Sequence, residues 1–215
     1  YPYIGAQFSE SKNKTLVFAH NIPCKLADYQ KRSEDDKQKD SWANCIEEYT
    51  YCHGNWTHSF RSFVKGAVAL ASDYNDDYDT ELGTKKRIDD YINSIAYVNY
   101  IQDFVITESS YGIASRSQIE LSQRINNELL RLLGITHCIC WGKYVYDYII
   151  NQKSVVILKK IPLEKRGFEI SQIELIGRKI NILKIYHPSM PSFGMYNEQT
   201  HEIFDYFCNL TIAST

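Results

Sequence analysis

Four apolar runs end abruptly in polar or small residues: residues 16 to 18 run into Ala19-His20-Asn21, 95 to 98 into Asn99, 138 to 141 into Gly142, and 182 to 186 into His187-Pro188-Ser189. Short continuous apolar runs rich in β-branched and aromatic residues predict buried strands. Strand ends are where an open parallel sheet keeps its chemistry. Between the runs the period changes. Trp56, Phe60, Phe63, Val64, Ala67, Val68 and Ala71 recur three and four apart, which predicts a helix packed on a core. From residue 115 the signals are a Ser117-x-x-Glu120 capping box, the apolar series Ile119, Ile125, Leu129, Leu132 and Leu133, and a stop at Gly134.

That helix leads straight into the run at 135 to 141. Residues 143 to 152 read as helical, 155 to 158 as a strand, 168 to 176 and 179 to 186 as two extended segments around Gly177-Arg178, and 195 to 210 as a closing amphipathic helix. Strands alternating with helices imply βα units. The expected fold is α/β, a three-layer α/β/α sandwich with a mostly parallel central sheet of about four strands. No repeat and no Pro/Gly/Ser linker divides the chain, so residues 1–215 are expected to form a single domain.

Composition narrows the function classes. The 215 residues carry a formal net charge of −2, so no global field draws the protein onto a phosphate backbone, and nucleic-acid binding would need a local patch. The 17 tyrosines are many, but can serve as core, surface or stacking platform. No apolar run reaches the 18 or so residues that span a bilayer, which leads to the expectation of a soluble, cytoplasmic protein without a membrane partner. The six cysteines show no repeated spacing and are expected as reduced, mostly buried thiols. His137-Cys138-x-Cys140 carries metal-type residues, yet strand alternation points His137 away from both thiols and no second pair completes a tetrahedral site. The acidic stretch 73 to 79 lacks the glycine and distal glutamate of a calcium loop and reads as solvated, as does the charged stretch 28 to 41. There is no Gly-x-Ser-x-Gly elbow and no glycine-rich phosphate loop. No metal and no cofactor are expected.

Taken in order, Ala19-His20-Asn21-Ile22, Asn99, Trp141-Gly142 and His187-Pro188-Ser189 resemble the motifs of the uracil-DNA glycosylase superfamily. The opening Pro2-Tyr3-Ile4-Gly5 is similar to an uncharacterised bacterial branch of it. The resemblance implies a DNA glycosylase-like hydrolase acting in base excision repair, with DNA as partner. It makes Asn21 the residue that positions water, His187 the donor that stabilises the departing base anion, and Asn99, with His20, the reader of the base. Met190 or Phe193 takes the place of the apolar wedge, while Ser189, Ser192 and Lys143, with Lys184, are the expected phosphate contacts. The first motif departs from the family: Ala19 and Ile22 stand where many members have Gly and Pro, and Asn21 where the best-known branch has Asp. An amide is no general base near neutral pH. The alternative is therefore a non-catalytic nucleobase- or nucleic-acid-binding module that keeps the fold.

Overall fold

The computed structural model describes residues 2–20, 22–31, 57–68, 82–102, 104–107, 112–162, 168–175, 177–189 and 198–210. The strands are β1 (Tyr3–Ile4), β2 (Thr15–Ala19), β3 (Ile22–Cys24), β4 (Ile95–Asn99), β5 (Phe104–Ile106), β6 (His137–Trp141), β7 (Val156–Pro162), β8 (Glu169–Leu175) and β9 (Arg178–Ile185). The helices are α1 (Leu26–Lys31), α2 (Thr57–Ala67), α3 (Leu82–Ser94), α4 (Arg116–Leu132), α5 (Lys143–Ile150) and α6 (Glu198–Cys208).

Seven strands form one sheet in the order β1-β4-β2-β6-β9-β8-β7, and β3 with β5 forms a separate parallel pair. The sheet is mixed. β4, β2, β6 and β9 run parallel, while β1 joins β4, β8 joins β9 and β7 joins β8 antiparallel. The α/β character agrees with the sequence pattern, whereas a mostly parallel sheet of about four strands does not. The residues 168 to 186 and the run after 155 form an antiparallel meander hydrogen-bonded to the sheet's flank, and β1 adds an edge too short to show any period.

Period-two alternation divides the core. On one face Val17, Tyr97, Ile139, Trp141, Leu183 and Ile185 pack against Phe60 and Phe63 of α2, Ile88 and Ile92 of α3, and Phe204 and Phe207 of α6. On the other face Leu16, Phe18, Val98, Cys138, Cys140 and Ile182 meet Leu130 of α4 with Val145, Tyr146 and Ile149 of α5. Helices on both faces of a sheet make three layers. The described aromatics of the helix predicted around residues 56 to 71, Phe60 and Phe63, are thus core.

The helix α4 starts two residues earlier than its predicted capping box: Ser115 accepts from the Gln118 amide, and Gln118 caps the Ser115 backbone in return. Both serines precede an acid or amide at the right offset, and only the first lies outside the helical turn. Gly5 explains the opening motif. A Cβ there would lie 2.3 Å from the Asn93 carbonyl oxygen, so only glycine lets β1 reach the sheet edge. The acidic stretch 73 to 79 and most of 28 to 41 lie outside the described residues. No helix among the described residues is long and apolar enough to cross a membrane.

Candidate functional site

All four predicted strand ends fall on one edge of the sheet, the carboxyl end of the parallel strands. Ala19 is level with Asn99 across β2 and β4, and Trp141 is level with Ile185 across β6 and β9. Two backbone bonds carry the β2–β4 ladder past its last pair: the Tyr100 amide donates to Ala19 at 2.8 Å and the Ile101 amide to His20 at 3.0 Å. The loops leaving the two strands therefore run together. Asn99 lies at that junction, 4% exposed, and no described residue bonds its side-chain amide. Asn126 of α4 secures the loop from behind by donating to the Tyr100 carbonyl at 2.8 Å.

His187 follows β9. Its Nδ1 accepts the Ser189 backbone N–H at 3.3 Å and lies 2.8 Å from Ser189 Oγ. A ring nitrogen that accepts a backbone N–H carries no proton itself, so the neutral imidazole holds its proton on Nε2 and the hydroxyl donates as well. Burial and the neighbouring His20 imidazole push the His187 pKa down to about 4, which keeps the ring neutral near pH 7. Ser189 thus orients His187 and is not free to serve only as a phosphate contact. The ring stands edge-on to Trp141, centroids 5.7 Å apart. Trp141 is 4% exposed and packs on Phe63 and Tyr97, and its indole Nε1 bonds to no partner among the described residues. Gly142, at φ 90°, turns β6 directly into α5 and donates to the Ile185 carbonyl at 2.9 Å, a conformation that side chains resist.

His20 is half-buried and lies nearly parallel to two rings of α5, Tyr144 at 5.5 Å and 18° and Tyr148 at 5.9 Å and 29°. Its Nε2 is buried without a hydrogen-bond partner among the described residues, and burial lowers its pKa. An unbonded buried ring nitrogen is costly and uncommon. Tyr144 and Tyr148 escaped the sequence reading. Their i, i+4 spacing on a helix that opens at a strand end was the available signal, hidden among so many other tyrosines.

Of the predicted site residues, the structure brings His20 close enough to His187 to lower its pKa and sets Asn99 beside the His20 loop. Lys143 is exposed on the first turn of α5 and pairs with Asp147 at 3.0 Å. Lys184 belongs to the opposite face, where it bonds Glu169 at 3.1 Å and covers the Tyr146 ring, so it is a structural cation and not a phosphate contact at this edge. Asn21, Met190, Ser192 and Phe193 lie outside the described residues.

The metal-type run has a structural explanation. Cys138 and Cys140 are free, buried thiols on the α4–α5 face, and burial raises both their pKa values. His137 points the other way, edge-on to Phe207. It accepts from the Thr136 hydroxyl at 2.9 Å and donates through Nε2 to the Leu210 carbonyl at 3.1 Å, tying the end of α6 to the start of β6. No protein-family model matches the chain, and no curated protein matches it.

Proposed function

We propose that this chain is a DNA glycosylase-like protein that hydrolyses the N-glycosidic bond of uracil or a related damaged base in DNA. The observation that carries the reading is the His187 imidazole, kept neutral and fixed by Ser189 so that Nε2–H is the donor. Glycosidic cleavage builds positive charge on the sugar and negative charge on the departing base. A preset donor at the base oxygen lowers that barrier without reorganising. Asn99 supports the reading as the discriminator, because a buried amide with free bonding capacity can match one pyrimidine edge and reject another. Adjacent strands are about 4.8 Å apart, so the ends of β4 and β9 stand about 14 Å apart, room for one planar base held at both edges. Asn21 would orient the attacking water.

The test is a glycosylase assay on single-stranded and mismatched uracil oligonucleotides. Cleavage that falls on the order of 10²-fold or more in His187→Ala supports the reading. Pure protein that cleaves no deaminated base overturns it.

One observation favours the second reading, a binding module without turnover. Among the described residues no carboxylate bonds to His20 or His187, so neither imidazole is set up to take a proton from water. Tight binding of uracil-containing DNA that weakens in Asn99→Ala, with no cleavage, supports that module. Turnover abolished by Asn21→Ala rules it out.

A further inference from the structure

We propose that a second copy of this chain docks on the exposed side of α4, forming a two-fold dimer of antiparallel helices. The helix has an inner face, where Ser122, Asn126 and Leu130 are buried against the sheet. A second apolar stripe is left in solvent. Leu121, Ile125 and Leu132 are 49%, 41% and 70% exposed. At 3.6 residues per turn, positions 121, 125, 128 and 132 fall within about 60° of one another, a continuous seam some 17 Å long. Three large aliphatic side chains aligned on one seam are costly to leave in water, unlike single exposed apolar residues.

The charges along the seam identify the occupant. Positions 121 and 132 are equidistant from the point between Asn126 and Asn127, as are 125 and 128. When a copy of the helix is laid antiparallel about that point, Leu121 meets Leu132 of the second copy, and Ile125 meets the methylene stem of its Glu128, whose carboxylate extends to the rim. Arg124 then comes within about one residue's rise of the second copy's Glu128, and Glu120 within about two of its Arg131. Each acid faces a base, and the two-fold repeats every pair. A surface that complements itself is the signature of an isologous interface, whereas an unrelated partner requires no such symmetry. Among the described residues of one chain, Glu128 and Glu120 are held by exposed pairs with Arg131 and Arg116, both at 2.8 Å, which rearrange at little cost.

Sedimentation equilibrium of the full chain from about 1 to about 200 µM tests the proposal, since a dimer stabilised by mass action must show concentration-dependent mass. The expected result is reversible monomer–dimer exchange whose dissociation constant rises by about tenfold or more when Leu121→Glu and Leu132→Glu are combined, with unchanged far-ultraviolet circular dichroism. Arg124→Glu alone and Glu128→Arg alone should each weaken the dimer, and the two together should restore it, because in a two-fold pair each reversed charge meets its own complement. A chain that is monomeric throughout, a dimer indifferent to the leucine changes, or a combined charge swap that fails to recover association overturns the proposal.

Discussion

The protonation of His187 links a single residue to both chemistry and stability. Its folded pKa, about 4, results from burial first and the nearby His20 second. Replacing His20 with alanine should therefore move the His187 midpoint upward, toward the ordinary 6.5. A nuclear magnetic resonance titration of the two proteins checks this, and an unchanged midpoint would refute the coupling. His20, His137 and His187 all have folded pKa values below the unfolded one. The unfolded chain thus binds protons first as pH falls, so the contribution of these rings to stability is complete above about pH 6.5 and is lost on acidification, for His187 through pH 4. Urea midpoints at pH 7.5 and pH 4.5 should differ accordingly, the acidic one lower; equal midpoints would contradict it. At this scale the sequence revealed the strand-end residues but not their partners. His187 and Asn99 stand out because each interrupts an apolar run, whereas the contacts of His20 with Tyr144 and Tyr148 join residues more than a hundred positions apart, beyond the reach of any local pattern.

Among the elements, caps and turns decide where the site residues point. Gly142 has φ 90° and ends β6 one residue before α5 begins, which aims both Trp141 and the Tyr144–Tyr148 face. Substituting alanine there should cost about 1–2 kcal/mol from the left-handed backbone alone, read as a lowered thermal midpoint. Ser115→Ala should remove the Ser115–Gln118 cap of α4 at a cost of about 1 kcal/mol, leaving the strand-end edge untouched. The long elements were legible because their periods persist: β2, β4, β6 and β9 each overlap a predicted apolar run, and α4 spans several turns. The two- and three-residue strands β1, β3 and β5 were not, since so few positions cannot display alternation. The meander β7–β8–β9 was read as extended, but pairing direction and attachment to the parallel strands depend on contacts between distant residues, not on composition.

For the whole molecule, the two faces of the sheet hold different contents. The α2–α3–α6 face is aromatic, with Phe60, Phe63, Tyr97, Trp141 and Phe204 joined in a chain of ring contacts that reaches His187 through Trp141. Phe63→Ala should lower stability by about 3–5 kcal/mol and also loosen the wall that holds Trp141, measurable as a lower urea midpoint with altered tryptophan emission. The three-layer division was legible from the alternation of helices and strands. The mixed sheet was not, because a buried antiparallel strand next to a parallel one carries the same apolar composition.

The place of β2 in the sheet has a consequence for how the chain acquires its shape. This strand precedes both of its neighbours by long stretches of chain: Thr15 pairs with Ile95 on one side and with His137 on the other. Those partners are about 80 and about 120 residues downstream, separations that make closure slow compared with a local hairpin. The meander β7–β8–β9, whose strands adjoin in sequence, has no such wait. On a ribosome, β2 meets its first partner only when residues 95 to 99 have emerged and its second only with 137 to 141, and the edge bearing Asn99, His20 and His187 is complete only once β9 has paired with β6. The site therefore requires strands drawn from residues 15 to 185 to be in register, and its chemistry reports on the completeness of the sheet.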